Sequence, residues 1–200
     1  MKRLRKLSGT LALVLISLTA YSCKDNTNPD SVSKPMSNEM HQETETKDSE
    51  RIMNNSQNNK ATDQIIDSYL KIKNALVADN QENAAMAGGD LVAIFEDFDK
   101  SNYSSEEQQE LADIIEDAKE HAEHISESPI GHQREHFDIL SKDVIDMIGI
   151  TGTNKKLYQD FCPMYNDNKG AQWLSATQEI RNPYMGSKMM DCGKVQKEIN

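Results

Sequence analysis

Apolar residues recur every three or four positions between residues 61 and 149, the spacing that places them on one face of an α-helix. Four amphipathic helices are predicted, over about residues 62–79, 81–99, 104–125 and 132–148. Ser104 and Glu107 form a capping box at the start of the third helix. The adjacent Gly88 and Gly89 interrupt the second helix, which indicates a kink or a close packing contact.

Beyond Ile150 the helical spacing is lost. No window shows the alternation of apolar and polar residues that is typical of a half-buried strand. Residues 157–161 are expected to form a short helix that runs into Cys162-Pro163-Met164. The pattern therefore predicts an all-α protein. An up-down bundle of about four helices, residues 61–149, precedes an irregular segment that contains Cys and Met, residues 150–200.

The N-terminus carries the pattern of an export signal. Basic residues at positions 2, 3, 5 and 6 precede an apolar run that is too short to span a bilayer as a permanent helix. Ala20-Tyr21-Ser22 then leads into Cys23, as at the cleavage site of a bacterial lipoprotein. Residues 1–22 are therefore expected to be a lipoprotein signal peptide, and Cys23 the lipidated first residue of the mature chain. Secretion without lipidation is the alternative.

Residues 23–60 are expected to be the lipidated cysteine followed by a disordered tether. This stretch is rich in Asn, Ser, Gln and charged residues, and it holds few large apolar side chains. Because it cannot bury enough surface to offset its chain entropy, it is expected to act as a spacer. The predicted location is the envelope of a Gram-negative bacterium, as an outer-membrane lipoprotein. It would face the periplasm or, since Lys24-Asp25 resembles a surface-export signal, the cell surface.

The charge of the chain narrows the classes of partner. All 200 residues together carry a net charge of −11, and the mean hydropathy is −0.73. These values exclude a multi-span membrane protein and argue against binding to nucleic acid, which normally needs a basic face. Most of the negative charge lies in the predicted bundle, where residues 61–149 hold 21 acidic and 6 basic side chains. Such a field favours the approach of cations.

Most of the histidines flank the predicted turn between the third and fourth helices. They are His121, His124, His132 and His136. The members of each pair are three or four residues apart, so they share one face of their helix. In an antiparallel pair of helices, this spacing allows all four imidazoles to converge. Imidazole is a ligand for copper, zinc and nickel, and Glu120, Glu123 and Glu135 are near enough in sequence to orient the rings. A metal site is one interpretation, and solvated histidines on a polar face are the other.

The C-terminal segment concentrates sulfur. Cys162 and Met164 are two residues apart, which places both side chains on one side of an extended segment. Met189 and Cys192 are three apart, which does the same on a helical turn. Thiolate and thioether ligands suit a soft ion, above all Cu(I). Because export leads to an oxidising compartment, a disulfide between Cys162 and Cys192 is the alternative, and free thiols are a third state. Trp173 and Tyr184 are expected to be packing residues.

These C-terminal residues also resemble a known family. The motifs are Cys-Pro-Met at 162–164, Trp-Leu-Ser at 173–175, Asn-Pro-Tyr at 182–184 and Met-x-x-Cys-Gly at 189–193. Together with the histidine-rich hairpin they resemble, over residues 61–200, a bacterial domain family of unknown function. That family occurs as exported lipoproteins and fused to periplasmic adaptor subunits of copper and silver efflux pumps. The resemblance implies a metal-related role in the envelope.

Two classes of function remain open. The first is a lipid-anchored metal-binding protein that sequesters copper or delivers it to an efflux system. Its expected partners are the membrane, through the anchor, and a heavy-metal efflux adaptor. The second is a non-catalytic protein-interaction module that the disulfide holds together. An enzyme is not expected, because the sequence has no nucleophile–base motif and no phosphate-binding glycine loop.

Overall fold

Four long helices make up most of the folded chain. The computed structural model describes residues 42–199, and their side chains from residue 60 onward. The four helices are α1 (Gln42–Val77), α2 (Gln81–Glu96), α3 (Ser105–Glu127) and α4 (Ile130–Thr151). Each helix packs against the next, and the connections are short, as in an up-down bundle. The predicted bundle of four helices is therefore confirmed.

The ends of the helices show where local sequence signals act. The backbone N–H of Ser104 donates to Glu107 Oε2 at 2.8 Å, and the N–H of Glu107 donates to Ser104 Oγ at 3.3 Å, so the predicted capping box is present. Helix α1 begins at Gln42, so its first turns lie within the segment that the sequence predicts to be a tether. Within residues 42–199, none of the helices is long and apolar enough to span a bilayer.

The segment after α4 is not irregular, which corrects the all-α prediction. It forms a three-stranded antiparallel sheet of β1 (Leu157–Cys162), β2 (Ala171–Ser175) and β3 (Lys194–Ile199), in the order β2-β1-β3. Residues 157–161 therefore form a strand and not the short helix expected. A single 3₁₀ turn, Gly186–Lys188, precedes Met189, so Met189 and Cys192 are not on an α-helical turn. The protein is mostly helical with a small C-terminal sheet.

The alternation expected of a strand is missing for two physical reasons. The buried positions of β1 do alternate, since Tyr158, Asp160 and Cys162 share one buried face, but that face includes the charged Asp160 while Phe161 lies on the other, less buried face. Burial along β1 therefore has a period of two that the apolar and polar residue types do not follow, so a search for apolar alternation misses the strand. Strand β3 is an edge strand whose side chains are nearly all exposed, so it has no apolar face to detect.

A buried polar network joins the sheet to the helices. The Tyr69 hydroxyl lies 2.7 Å from Ser141 Oγ, and it accepts a hydrogen bond of 3.0 Å from the backbone N–H of Leu174 in β2. Arg134 on α4 donates to the carbonyls of Pro183 and Leu76 and forms an ion pair with Asp79. Because these partners lie on separate elements, the network fixes the C-terminal segment against α1 and α4.

The two adjacent glycines of α2 have different surroundings, which decides between a kink and close packing. Helix α2 runs unbroken through both. A Cβ on Gly88 would lie 2.9 Å from the carbonyl oxygen of Ala122 and 3.1 Å from the backbone nitrogen of Ser126, whereas a Cβ on Gly89 would meet nothing within 4 Å. Gly88 therefore allows α2 to approach the backbone of α3 closely.

Alanine substitutions at these two positions are expected to have opposite effects. Gly88→Ala forces α2 away from α3 and is expected to lower the free energy of unfolding by about 1–3 kcal/mol. Gly89→Ala fills open space in a helix and is expected to raise it by about 0.5–1 kcal/mol. Urea denaturation followed by circular dichroism measures both. Equal effects of the two substitutions would show that the close contact at Gly88 is not present.

Candidate metal centre

The four histidines of the α3–α4 hairpin lie together. Helix α3 ends at Glu127 and α4 begins at Ile130, so the two histidine pairs face each other across a very short connection. His121 Nδ1 lies 2.8 Å from His136 Nδ1, and His136 Nε2 lies 3.0 Å from His132 Nε2. The His124 ring stacks on His136 with 4.3 Å between ring centroids. The convergence that the helical spacing allows is present in the structure.

Three of these imidazoles have the separation that ligands of one metal ion require. One ring nitrogen from each of His124, His132 and His136 lies within 4.8 Å of the other two. The separation of 3.0 Å between His132 Nε2 and His136 Nε2 fits two ligands on one ion, because metal–nitrogen bonds of about 2.0–2.1 Å at tetrahedral or right angles put the nitrogens about 2.9–3.3 Å apart. The His124 ring stacks on His136, so it must turn to bind the same ion. Its side chain is 47% exposed, which leaves room for that rotation. These three residues are called the imidazole trio below.

The surroundings of the cluster keep its inner histidines neutral. Burial, and after it the neighbouring imidazoles of His124, His121 and His132, together lower the pKa of His136 to about 4. Burial also lowers the pKa of His121, although the carboxylates of Asp117 and Glu120 oppose this shift. Neutral imidazole is the form that binds metal ions, so the cluster holds available lone pairs at neutral pH.

Acidic side chains flank the cluster, but only some are those that the sequence suggested. Glu135 Oε2 lies 2.7 Å from His132 Nδ1, and Glu120 Oε1 lies 3.9 Å from His124 Nε2. Glu123 instead lies 4.0 Å from Lys119 Nζ. Glu135 is therefore the carboxylate that orients a ring of the imidazole trio.

A second group of ligand-type atoms, which the sequence analysis missed, lies beside the trio. It consists of Asp117, His121 and Asp143, each with one atom within 4.8 Å of the others. Asp117 Oδ1 is 3.5 Å from His121 Nε2, while Asp143 Oδ2 is buried without a hydrogen-bond partner. Burial, with repulsion from Asp117 and Asp146, raises the pKa of Asp143 to about 7. The spacing in the sequence could have revealed this group, because Asp117 is one helical turn before His121 and Asp143 is two turns after His136.

The two remaining cysteines lie together, but the methionines predicted beside them are on the surface. Cys162 Sγ lies 2.6 Å from Cys192 Sγ. Cys162 is fully buried, whereas Met164 is 49% exposed and Met189 is 39% exposed. Burial, and then the adjacent Cys162, raise the pKa of the Cys192 thiol to about 11, so this thiol is a poor source of thiolate at neutral pH. Among the side chains from residue 60 onward, the groups of three or more His, Cys, Asp or Glu include neither cysteine.

Two other predictions concern Cys23 and the aromatic residues. Cys23, predicted to be the lipidation site, lies outside the residues that the structure describes. Trp173 is fully buried, and Tyr184 is 3% exposed. Their rings meet edge to face with 5.9 Å between centroids. Both are packing residues, as predicted.

Comparison with known proteins gives a family match for the helical part of the chain. A family model described as a protein of unknown function (DUF3347) matches residues 65–156. The match includes all four hairpin histidines together with Asp117 and Asp143. It ends before the Cys-Pro-Met, Trp-Leu-Ser, Asn-Pro-Tyr and Met-x-x-Cys-Gly motifs. A search of curated proteins found no match, and neither did a search of solved structures.

Proposed function

We propose that this protein is a metal-binding protein of the bacterial envelope and that the imidazole trio holds the ion. The observation that carries the proposal is the approach of ring nitrogens from His124, His132 and His136 to within 4.8 Å of one another. Four solvated histidines would instead be expected to spread apart, because imidazoles repel each other when protonated and gain little from mutual contact in water. Ring nitrogens that converge fit a bound cation, to which each neutral imidazole can offer one lone pair.

Copper is the proposed ion. Among divalent first-row metals, a site of imidazole ligands generally binds Cu²⁺ most tightly, with Zn²⁺ and Ni²⁺ behind it. The acidic bundle, with 21 acidic and 6 basic side chains over residues 61–149, adds a field that favours cations. The sulfur set of Cys162, Met164, Met189 and Cys192 would serve Cu(I) only while both thiols are reduced. The imidazole trio has no such requirement.

The biological role proposed is sequestration of copper or its delivery to a heavy-metal efflux adaptor, without catalysis. The envelope location and the lipid anchor rest on the N-terminal pattern that ends at Cys23. A tethered binding domain would hold copper near the membrane, where an adaptor subunit could receive it. The resemblance to domains fused to such adaptors supports this partner.

Titration of the full-length chain in detergent, with Cu²⁺ or Zn²⁺ against a competing chelator, tests the proposal. The double substitution His132→Asn/His136→Asn is expected to weaken the affinity at the trio by at least about 100-fold, because it removes two ligands of the ion. The matched control is His41→Asn, since His41 is the one histidine outside the hairpin, and its affinity should equal that of the wild type. Equal affinity of the double variant and the wild type would overturn the imidazole site.

A second candidate function is a non-catalytic interaction module stabilised by a disulfide. The contact of 2.6 Å between Cys162 Sγ and Cys192 Sγ favours it. In an oxidising compartment, thiols held together in this way are expected to form a disulfide, which would join the end of β1 to the segment before β3. This candidate requires no metal, so a wild-type chain that binds neither Cu²⁺ nor Zn²⁺ would leave it as the better proposal.

A further inference from the structure

A continuous line of polar contacts crosses the hairpin from Glu135 to Asp117. Its links are Glu135–His132 at 2.7 Å, His132–His136 at 3.0 Å, His136–His121 at 2.8 Å and His121–Asp117 at 3.5 Å. Each link joins two atoms that carry a lone pair in at least one protonation state. A hydrogen bond therefore forms at a link only where one proton lies between the two atoms.

The line has one link more than it has protons. When all three histidines are neutral they supply three protons for four links, because a neutral imidazole carries one N–H. Both ends of the line are carboxylates, which accept hydrogen bonds and donate none when ionised. The shorter link, at 2.7 Å to Glu135, has the geometry of a charge-assisted hydrogen bond, whereas the link of 3.5 Å to Asp117 does not. The link without a proton is therefore the one between His121 and Asp117.

At that end of the line, the imidazole of His121 lies beside two carboxyl groups. His121 Nε2 presents a lone pair to Asp117 Oδ1, and Asp143 completes the group with a carboxylate within 4.8 Å. The Oδ2 atom of Asp143 is buried and has no hydrogen-bond partner. A buried carboxylate oxygen without a donor is costly unless a proton or a cation compensates it. One imidazole and two carboxylates form a ligand set that suits Zn²⁺ and similar divalent ions.

We infer that Asp117, His121 and Asp143 form a second cation site, which takes a divalent ion as an alternative to the imidazole trio. The alternation, meaning that an ion at one site disfavours an ion at the other, rests on the proposed function of the trio. The existence of the second site does not. Both sites draw on the same line of contacts, and in each case the ion occupies the one link that lacks a proton.

Occupation of one site removes the lone pair that the other site needs. When an ion binds His132 Nε2 and His136 Nε2, the proton between them moves to His136 Nδ1, which then donates to His121 Nδ1. His121 in turn carries its proton on Nε2, where it donates to Asp117. Three protons are present before and after, so no proton is released or taken up. A second ion could bind only if the hydrogen bond between His136 and His121 broke, because two N–H groups would then face each other across the contact of 2.8 Å.

Zn²⁺ titration of the full-length chain in detergent tests this inference. The wild type is expected to bind one Zn²⁺ tightly and a second one at least about tenfold more weakly. The variant His124→Asn/His132→Asn retains the second site and should bind one ion, as should Asp117→Asn/Asp143→Asn, which retains the trio. The chain with all four substitutions should bind none. His124 and His132 are about half exposed, so these substitutions should leave the fold intact, which circular dichroism checks.

The possible failures are distinguishable. If His124→Asn/His132→Asn binds no Zn²⁺ while Asp117→Asn/Asp143→Asn binds one, the second site is overturned and the trio stands. If the wild type binds two ions with equal affinity, the alternation is overturned. If only His124→Asn/His132→Asn binds Zn²⁺, the second site is supported and the proposed function of the trio fails.

Discussion

Trp173→Ala is expected to lower the free energy of unfolding by about 3–5 kcal/mol, the usual cost of removing a large aromatic side chain from a core. Trp173 is fully buried in β2 and packs edge to face on Tyr184. The segment before β3 also packs closely against the Trp173 side chain, because a Cβ on Gly193 would lie 2.8 Å from the end of the indole ring. The truncation therefore leaves a cavity between the sheet and the segment that carries Cys192.

Urea denaturation followed by far-ultraviolet circular dichroism measures this effect without relying on the lost tryptophan fluorescence. Val195→Ala is the matched control, because Val195 is 39% exposed on the edge strand β3. Its effect should be within about 0.5 kcal/mol. A loss below about 1 kcal/mol for Trp173→Ala would mean that the sheet does not pack on the helices through this side chain.

The second large effect is expected from the cysteine pair. In chain exported to an oxidising compartment, Cys162 and Cys192 are expected to resist a thiol reagent in denaturant until a reductant is added. A bridge that closes a loop of this length stabilises a protein by about 3–4 kcal/mol in the chain-entropy description. Both reduction of the wild type and the variant Cys162→Ser/Cys192→Ser should therefore lower stability by about that amount.

Peptide mapping of the labelled chain separates these two thiols from Cys23. Cys192→Ser serves as the internal comparison, because it should leave Cys162 reactive without reduction. Labelling of both thiols in unreduced wild-type chain would contradict the disulfide. It would also leave Cys162, Met164, Met189 and Cys192 available as a Cu(I) site.

The helices could be predicted from the sequence because their stability and their signal have the same origin. Each has one apolar face that it buries against its neighbour, and α3 carries its own start signal in Ser104 and Glu107. The sheet could not be predicted, because the buried face of β1 includes the charged Asp160 and β3 is exposed. What holds β3 in place is backbone pairing with β1, with a register shift between Gln159 and Asp160. Backbone pairing leaves little trace in the pattern of side chains.

The candidate site, too, could be predicted from the sequence only in part. Spacing along two helices was enough to find His121, His124, His132 and His136, because a short turn fixes how the helices face each other. Asp117 and Asp143 were missed because carboxylates are frequent throughout the acidic bundle, so neither stands out by composition. Only the contact between His121 and Asp117, and the unpartnered oxygen of Asp143, set them apart.

The identity of the atoms that surround the bound ion tests the metal site most directly. X-ray absorption at the zinc edge of the Zn²⁺-loaded full-length chain measures them. If the hairpin holds the ion, the first shell is expected to contain only nitrogen and oxygen at about 2.0–2.1 Å, with the outer scattering of imidazole rings. Sulfur scattering at about 2.3 Å would place the ion at the cysteine pair and contradict the hairpin site.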